Sequence, residues 1–190
     1  LNDILINNVS YQALAKPAIT VSSLALQARA TQQSIQIKRG EIALFGGKLS
    51  ITGTANWQKK LRWQATLNAQ KIQLSHYFPH LKGHLNVDIT TTGRETKNPT
   101  ATFILKDLSG QLQQQNVSGR GEFLLKNHTL STTGFKLNIA GNTLNLVGEL
   151  SKQSHLSWSI KANALKQLSS QFNGSILSKG TVTKNYLQPT

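Results

Sequence analysis

An all-β fold with antiparallel-rich pairing is what this 190-residue sequence predicts, on three observations. Apolar and polar residues alternate with period two over long stretches. The alternating units recur about 95 residues apart. Nothing of helical period is long enough to lie across a sheet and cover it. Successive strand side chains point to opposite faces, so a period of two gives each strand one apolar and one wet side.

The pattern is clearest over residues 48–70. Every even position from Lys48 to Gln70 is polar, and every odd position between is apolar or Gly except Lys59. A 3.6-residue helix would scatter both sets around its circumference. Lys59-Lys60 and their neighbours mark the turn between two strands. Before this stretch, Leu24/Leu26/Ala28/Ala30, Ile35/Ile37 and Ile42/Leu44 alternate in the same way. After it come Leu85/Val87/Ile89, Phe103/Leu105, Phe123/Leu125 and Leu137/Ile139. Residues 144–164 close the series, with Leu144, Leu146, Gly148, Leu150, Leu156, Trp158, Ile160, Ala162 and Ala164 on one face and Val147 the exception on the other. Gly, Asn and Pro punctuate these segments as turns require. Helical turns are expected only at Leu74–Leu81, interrupted by Pro79, and at Ala164–Phe172.

Leu49, Ile51, Gly53, Leu61 and Trp63 match Leu144, Leu146, Gly148, Leu156 and Trp158 at a spacing of 95. Farther along, Gly83 matches Gly174 and Pro99-Thr100 matches Pro189-Thr190 at a shorter one. The chain therefore holds about two copies, approximately 1–99 and 100–190. No Pro-, Gly- or Ser-rich linker separates them, so 1–190 is expected to be a single continuous segment whose neighbours complete one sheet.

Composition removes several classes of function. Charged residues are 15% of the chain, well under the roughly 25% of ordinary soluble domains. Seven acids stand against 21 Lys and Arg, a net charge of +14. So few carboxylates leave little for acid–base catalysis or hard-metal binding, and no Ser–His–Asp arrangement has support; an enzyme is not expected. No apolar run reaches the roughly 20 residues of a membrane-spanning helix. The absence of Met marks the chain as a fragment or processed segment, and any anchor is expected outside it. The absence of Cys leans toward an extracytoplasmic setting.

The basic charge raises nucleic acid as a partner, but the cations are dispersed as single residues or pairs such as Lys38-Arg39, and aromatics are only 6%. No nucleic-acid partner is expected; solubility or attraction to anionic head groups explains the charge better. His76, His80 and His84 fall four apart, yet Pro79 and Gly83 spoil the helix that would align them as metal ligands. Gly119-Arg120-Gly121 is a lone Gly pair without the strand–helix context of a nucleotide site. Neither a metal nor another cofactor is expected.

An alternating sheet must do something with its apolar face. Two sheets can bury such faces against each other as a sandwich, or one open, strongly curved sheet can line a trough. Three features lean toward the trough: no covering helix, an apolar face that mixes Leu and Ile with much Gly and Ala, and repetition without a sign of closure.

Three strings carry a family resemblance. They are residues 47–93, from GKLSITG to TTTG, residues 107–127, DLSGQLQQQNVSGRGEFLLKN, and residues 140–168, AGNTLNLVGELSKQSHLSWSIKANALKQL. The shared features are a strand ending in Gly53 or Gly148 and an aromatic-bearing partner strand at Trp63 or Trp158. A short Leu-rich connection before Gly83 or Gly174, a turn at Asp107-Leu108-Ser109-Gly110 and a hairpin at Gly141-Asn142 complete the set. Together these strings resemble an internal periplasmic segment of the TamB family, within the AsmA-like group of bacterial envelope proteins.

The resemblance implies a sheet curled lengthwise into a taco-like hydrophobic groove in the periplasm, in a full protein anchored in the inner membrane. It implies lipid transport, with phospholipid acyl chains as the guest and Leu49, Ile51, Leu61, Trp63, Leu67, Leu144, Leu146, Leu156, Trp158 and Ile160 as groove lining. In a closed sandwich the same residues would be core. The alternative role is a scaffold of a translocation and assembly module in outer-membrane biogenesis. It would template strands of outer-membrane β-barrel clients and, through other parts of the full protein, contact an outer-membrane barrel partner of the TamA type.

Overall fold

The computed structural model describes residues 2–11, 19–76, 78–79, 81–150, 153–163, 165–167 and 173–185. Twelve strands account for nearly all of them: β1 (Asn2–Tyr11), β2 (Ile19–Ala30), β3 (Ser34–Leu44), β4 (Gly47–Asn56), β5 (Arg62–Ile72), β6 (Gly83–Arg94), β7 (Thr100–Leu112), β8 (Gln115–Lys126), β9 (Thr129–Ile139), β10 (Asn142–Leu150), β11 (Gln153–Ala162) and β12 (Ile176–Asn185). They form one sheet whose spatial order is the chain order, and every pairing is antiparallel. β1 and β12 do not pair with each other, so the sheet is an open, curled and elongated one. Single 3-10 turns follow β5 at Leu74–His76 and β11 at Leu165–Gln167. The rest of the helical turn expected at Ala164–Phe172 lies outside the described residues.

Local sequence explains the sharp reversals. Phe45-Gly46, Gln113-Gln114, Asn127-His128 and Ala140-Gly141 all have positive φ at both positions. That is the backbone of a two-residue hairpin turn whose twist matches the right-handed twist of the strands it joins. Glycine at 46 and 141 adopts it without strain. Gln113-Gln114 adopts it without that help.

Bulges set the phase of the faces. In β3, Ile37 pairs with Gly53 and Gly40 with Ile51, so Lys38 and Arg39 together oppose one residue of β4. In β7, Leu105 pairs with Gly121 and Leu108 with Gly119, leaving Lys106 and Asp107 as the doubled pair. In β9, Thr133 and Gly134 play this part. Each extra residue lets two consecutive residues lie on the wet side while apolar parity resumes beyond. Ile35/Ile37 and Ile42/Leu44, which look like separate stretches, are therefore one strand. The turn expected at Asp107–Gly110 is corrected for the same reason: these residues continue β7, and the break in alternation there is a bulge.

Three strands of each half superpose in sequence at an offset of 95. The β3 bulge at Lys38 recurs at Thr133, and the turn Phe45-Gly46 recurs as Ala140-Gly141. The next hairpin breaks the correspondence. Leu49 pairs with Ala69 in β5, whereas Leu144 pairs with Ile160 in β11, a slide of four residues or about 13 Å along the strand.

No second layer covers the sheet among the described residues. Among the described residues the only buried hydrophobic ones are Ala28, Ala101, Val117 and Ala162, and no large side chain is fully buried. The accessible surface is 13275 Å². A compact monomer of 20.8 kDa exposes about 9,000 Å². The excess is what a single open layer costs in exposure.

Candidate functional site

Residues directly opposite in an antiparallel ladder share a face, so registers can be chained from strand to strand. Starting at β2, one chain of partners runs Leu26, Gly40, Ile51, Leu67, Ile89, Leu105, Gly121, Phe135, Leu146, Trp158 and Gly180. Eleven strands contribute one residue each, and none is polar. At about 4.8 Å between strands this row is about 50 Å long. A parallel row on one side runs Leu24, Ile42, Leu49, Ala69, Val87, Leu108, Gly119, Leu137, Leu144 and Ile160, ending at Ser178. On the other side Thr91 and Thr132 interrupt an otherwise apolar row that includes Gly53, Phe103, Phe123 and Leu156.

Nine of the ten residues expected to line a groove stand on this face. Ile51, Leu67, Leu146 and Trp158 lie in the central row, Leu49, Leu144 and Ile160 in the second, and Leu156 in the third. Trp63, between Ala55 and Gly93, lies nearer the strand ends. All nine are half-buried, shielded by lateral neighbours and not by a roof. Leu61 precedes β5 in the 57–61 connection and is 36% exposed. The slide of β11 thus gives Leu61 and Leu156, 95 apart in sequence, unequal places.

Aromatic rings are fitted onto bare backbone. The indole of Trp63 covers Gly93 on the next strand, and that of Trp158 covers Gly180, so a methyl group at either glycine meets the ring. Trp63 Nε1 also donates to Thr91 Oγ1 at 3.1 Å, which satisfies its polar edge. Phe135 leans over Gly121 and packs against Phe123, ring centroids 5.6 Å apart. Gly119 and Gly121, the pair dismissed as a weak nucleotide motif, are thus part of the apolar floor.

Ile89, Leu105 and Phe135 belong to the central row but were absent from the residues expected to line it. Ile89 and Leu105 already stood in the alternating stretches, and Phe135 follows the phase reset at the β9 bulge.

The opposite face is polar. Glu41 Oε1 accepts from Arg39 Nη2 and from Lys48 Nζ, both at 2.8 Å. Hydrogen bonds from Lys48 and then Arg39 hold its carboxyl below the ordinary value of 4.5. Among the described residues no group of three or more His, Cys, Asp or Glu is placed to hold a metal ion. His76 lies in the first 3-10 turn and His84 on β6, while His80 is outside the described residues. No described helix is long and apolar enough to cross a membrane.

A family model described as "TamB, N-terminal domain" matches residues 10–190. No solved structure matches the chain.

Proposed function

The chain belongs to the TamB family of bacterial envelope proteins, and on that premise we propose that its apolar face is a furrow along which phospholipid acyl chains pass between the inner and outer membranes. One observation carries this reading: the central row from Leu26 to Gly180 is continuous, free of polar side chains and uncovered by any described residue. Each methylene left in water costs about 0.8 kcal/mol, so exposing two acyl chains of about 15 methylenes each opposes transfer by over 20 kcal/mol. A furrow about 50 Å long exceeds the bilayer's hydrocarbon thickness of about 30 Å, so it shelters a whole lipid lengthwise. Leu, Ile and Gly offer contact without a polar anchor, which suits a guest that must slide. The charged head group stays in solvent at the open side, in the periplasm. No chemistry is done on the lipid; the segment is a conduit and not an enzyme.

The scaffold reading rests on a different feature, the outer backbone edges of β1 and β12, which pair with no other described strand. Photocrosslinkers at Leu146 and at an outer-edge residue of β12 in the full protein separate the two. Lipid is expected at Leu146. Leu146→Asp should keep the strand circular dichroism, because the side chain is only half-buried, and lower lipid capture about tenfold or more. Unfolding of that variant, or capture only of protein at the edge, overturns the conduit.

A further inference from the structure

The polar side of the sheet carries a second chemistry that does not depend on the furrow. Corresponding points of the two halves, 95 residues apart, hold opposite charges. At the first, Glu41 on β3 is clamped by Arg39 and Lys48. At the second, on β9, stands Lys136, and directly opposite it on β8 is Arg120, where β2 presents Ala25 to Glu41. The β7 bulge then sets Lys106 and Asp107 across from Arg120.

Three cations from three adjacent strands therefore border one notch of about 360 Å³, which Ser118 and Asn138 also line. Asp107 is the one carboxylate in it, and its Oδ2 accepts from Ser109 Oγ at 2.7 Å. Among the described residues, Lys106, Arg120 and Lys136 make no ion pair with Asp107, with Asp88 across the ladder, or with any other acid. Like charges directly opposite in a ladder destabilise it. The first half shows that the fold accepts an acid at this point, so the cations answer some other demand.

We propose that this notch is an anion site that takes a phosphoryl group. The Arg120 guanidinium supplies a planar pair of N–H donors, and Lys106 and Lys136 flank it as point charges. Ser118 and Asn138 offer neutral donors at the rim. The phosphoryl group belongs either to a lipid head group or to a soluble phosphate, and two probes distinguish these sources.

Inorganic pyrophosphate, titrated calorimetrically into the full chain, should bind saturably. Lys136→Glu restores the acid found at the first point and so should fold; it should weaken pyrophosphate about tenfold or more. Lys136→Gln, which adds no charge, should weaken it in the same direction. Lys97→Glu, in the exposed 95–99 connection, changes net charge equally and should leave affinity unchanged. Co-sedimentation with vesicles of phosphatidylglycerol in phosphatidylcholine, lost in Lys136→Glu, assigns the phosphoryl group to lipid; binding of pyrophosphate without such vesicle binding assigns it to a soluble phosphate. Absence of saturable binding to either probe, or an equal loss in Lys97→Glu, overturns the site.

Discussion

The strands β4–β6 and β10–β12 share an apolar pattern, with Leu49, Gly53 and Trp63 matching Leu144, Gly148 and Trp158, and are not alike in register. Both place a tryptophan on the middle strand and lay its ring over a glycine of the next, Trp63 on Gly93 and Trp158 on Gly180. Yet β11 is slid by four residues against β10 relative to the first hairpin, so Trp63 sits near the strand ends and Trp158 in the central row. The difference teaches what the sheet conserves between its halves. An even slide leaves every side chain on its own face, whereas an odd one reverses all of them. Parity and the ring-on-glycine contact persist; absolute register does not.

The strongest way to break this correspondence is to insert one residue in β11 between Leu156 and Ser157. Unless a bulge absorbs it, Trp158 and Ile160 move to the polar side, and the loss expected in urea denaturation is about 3–5 kcal/mol, with tryptophan emission shifted to the red. Two residues inserted at that point keep parity and should cost about half as much or less. Equal losses for the two insertions would show that register matters more than face.

A milder perturbation sharpens the contrast between the two rings. A methyl carbon added at Gly93 overlaps the Trp63 ring severely, while one at Gly180 lies 2.9 Å from Trp158 Cζ2. Gly93→Ala must displace an indole held by Thr91 and should lose about 2–3 kcal/mol. Gly180→Ala needs only a small adjustment of the ring and should lose about 1 kcal/mol. Denaturation midpoints of the two variants compare them directly.

The smallest effect is expected at the polar lattice point that differs between the halves. Glu41 has a folded-state pKa below its ordinary 4.5, so its contribution is full above that value and fades as pH falls through the lower, folded one. Glu41→Gln should remove this acid-side decline with little change at neutral pH, because both cations that pair with it are exposed and solvent screens the pair. Denaturant midpoints followed from neutral pH to well below 4.5 check it.

Much of this was legible in the chain itself. Period two over residues 48–70 predicts the faces of β4 and β5 residue by residue, and nine of ten proposed lining residues share one side of the sheet. The choice of trough over sandwich, which the open sheet bears out, rested on the missing covering helix, the Gly- and Ala-rich face and the family resemblance, because alternation states that a face avoids water and is silent on what lies over it. Lys38-Arg39 and Lys106-Asp107 look like lost periodicity or a turn, since a bulge is a property of two strands and sequence shows one at a time. Gln113-Gln114 carries none of the Gly or Asn chemistry that announces a hairpin; the pairing of β7 with β8 imposes positive φ there. The charge reversal between Glu41 and Lys136 was readable at the 95-residue offset, but its meaning required knowing that Arg120 and Lys106 stand beside the second position.

Because each strand of this sheet bonds only to those just before and after it in the chain, assembly needs no distant segment to arrive first. A polypeptide emerging N-terminus foremost from a secretion pore can zip each strand onto its predecessor, with one growing seam exposed at a time. Loop closure stays short throughout, and stability accrues link by link as in other linear arrays. Such a molecule can lengthen in evolution by copying a hairpin without redesigning anything behind it.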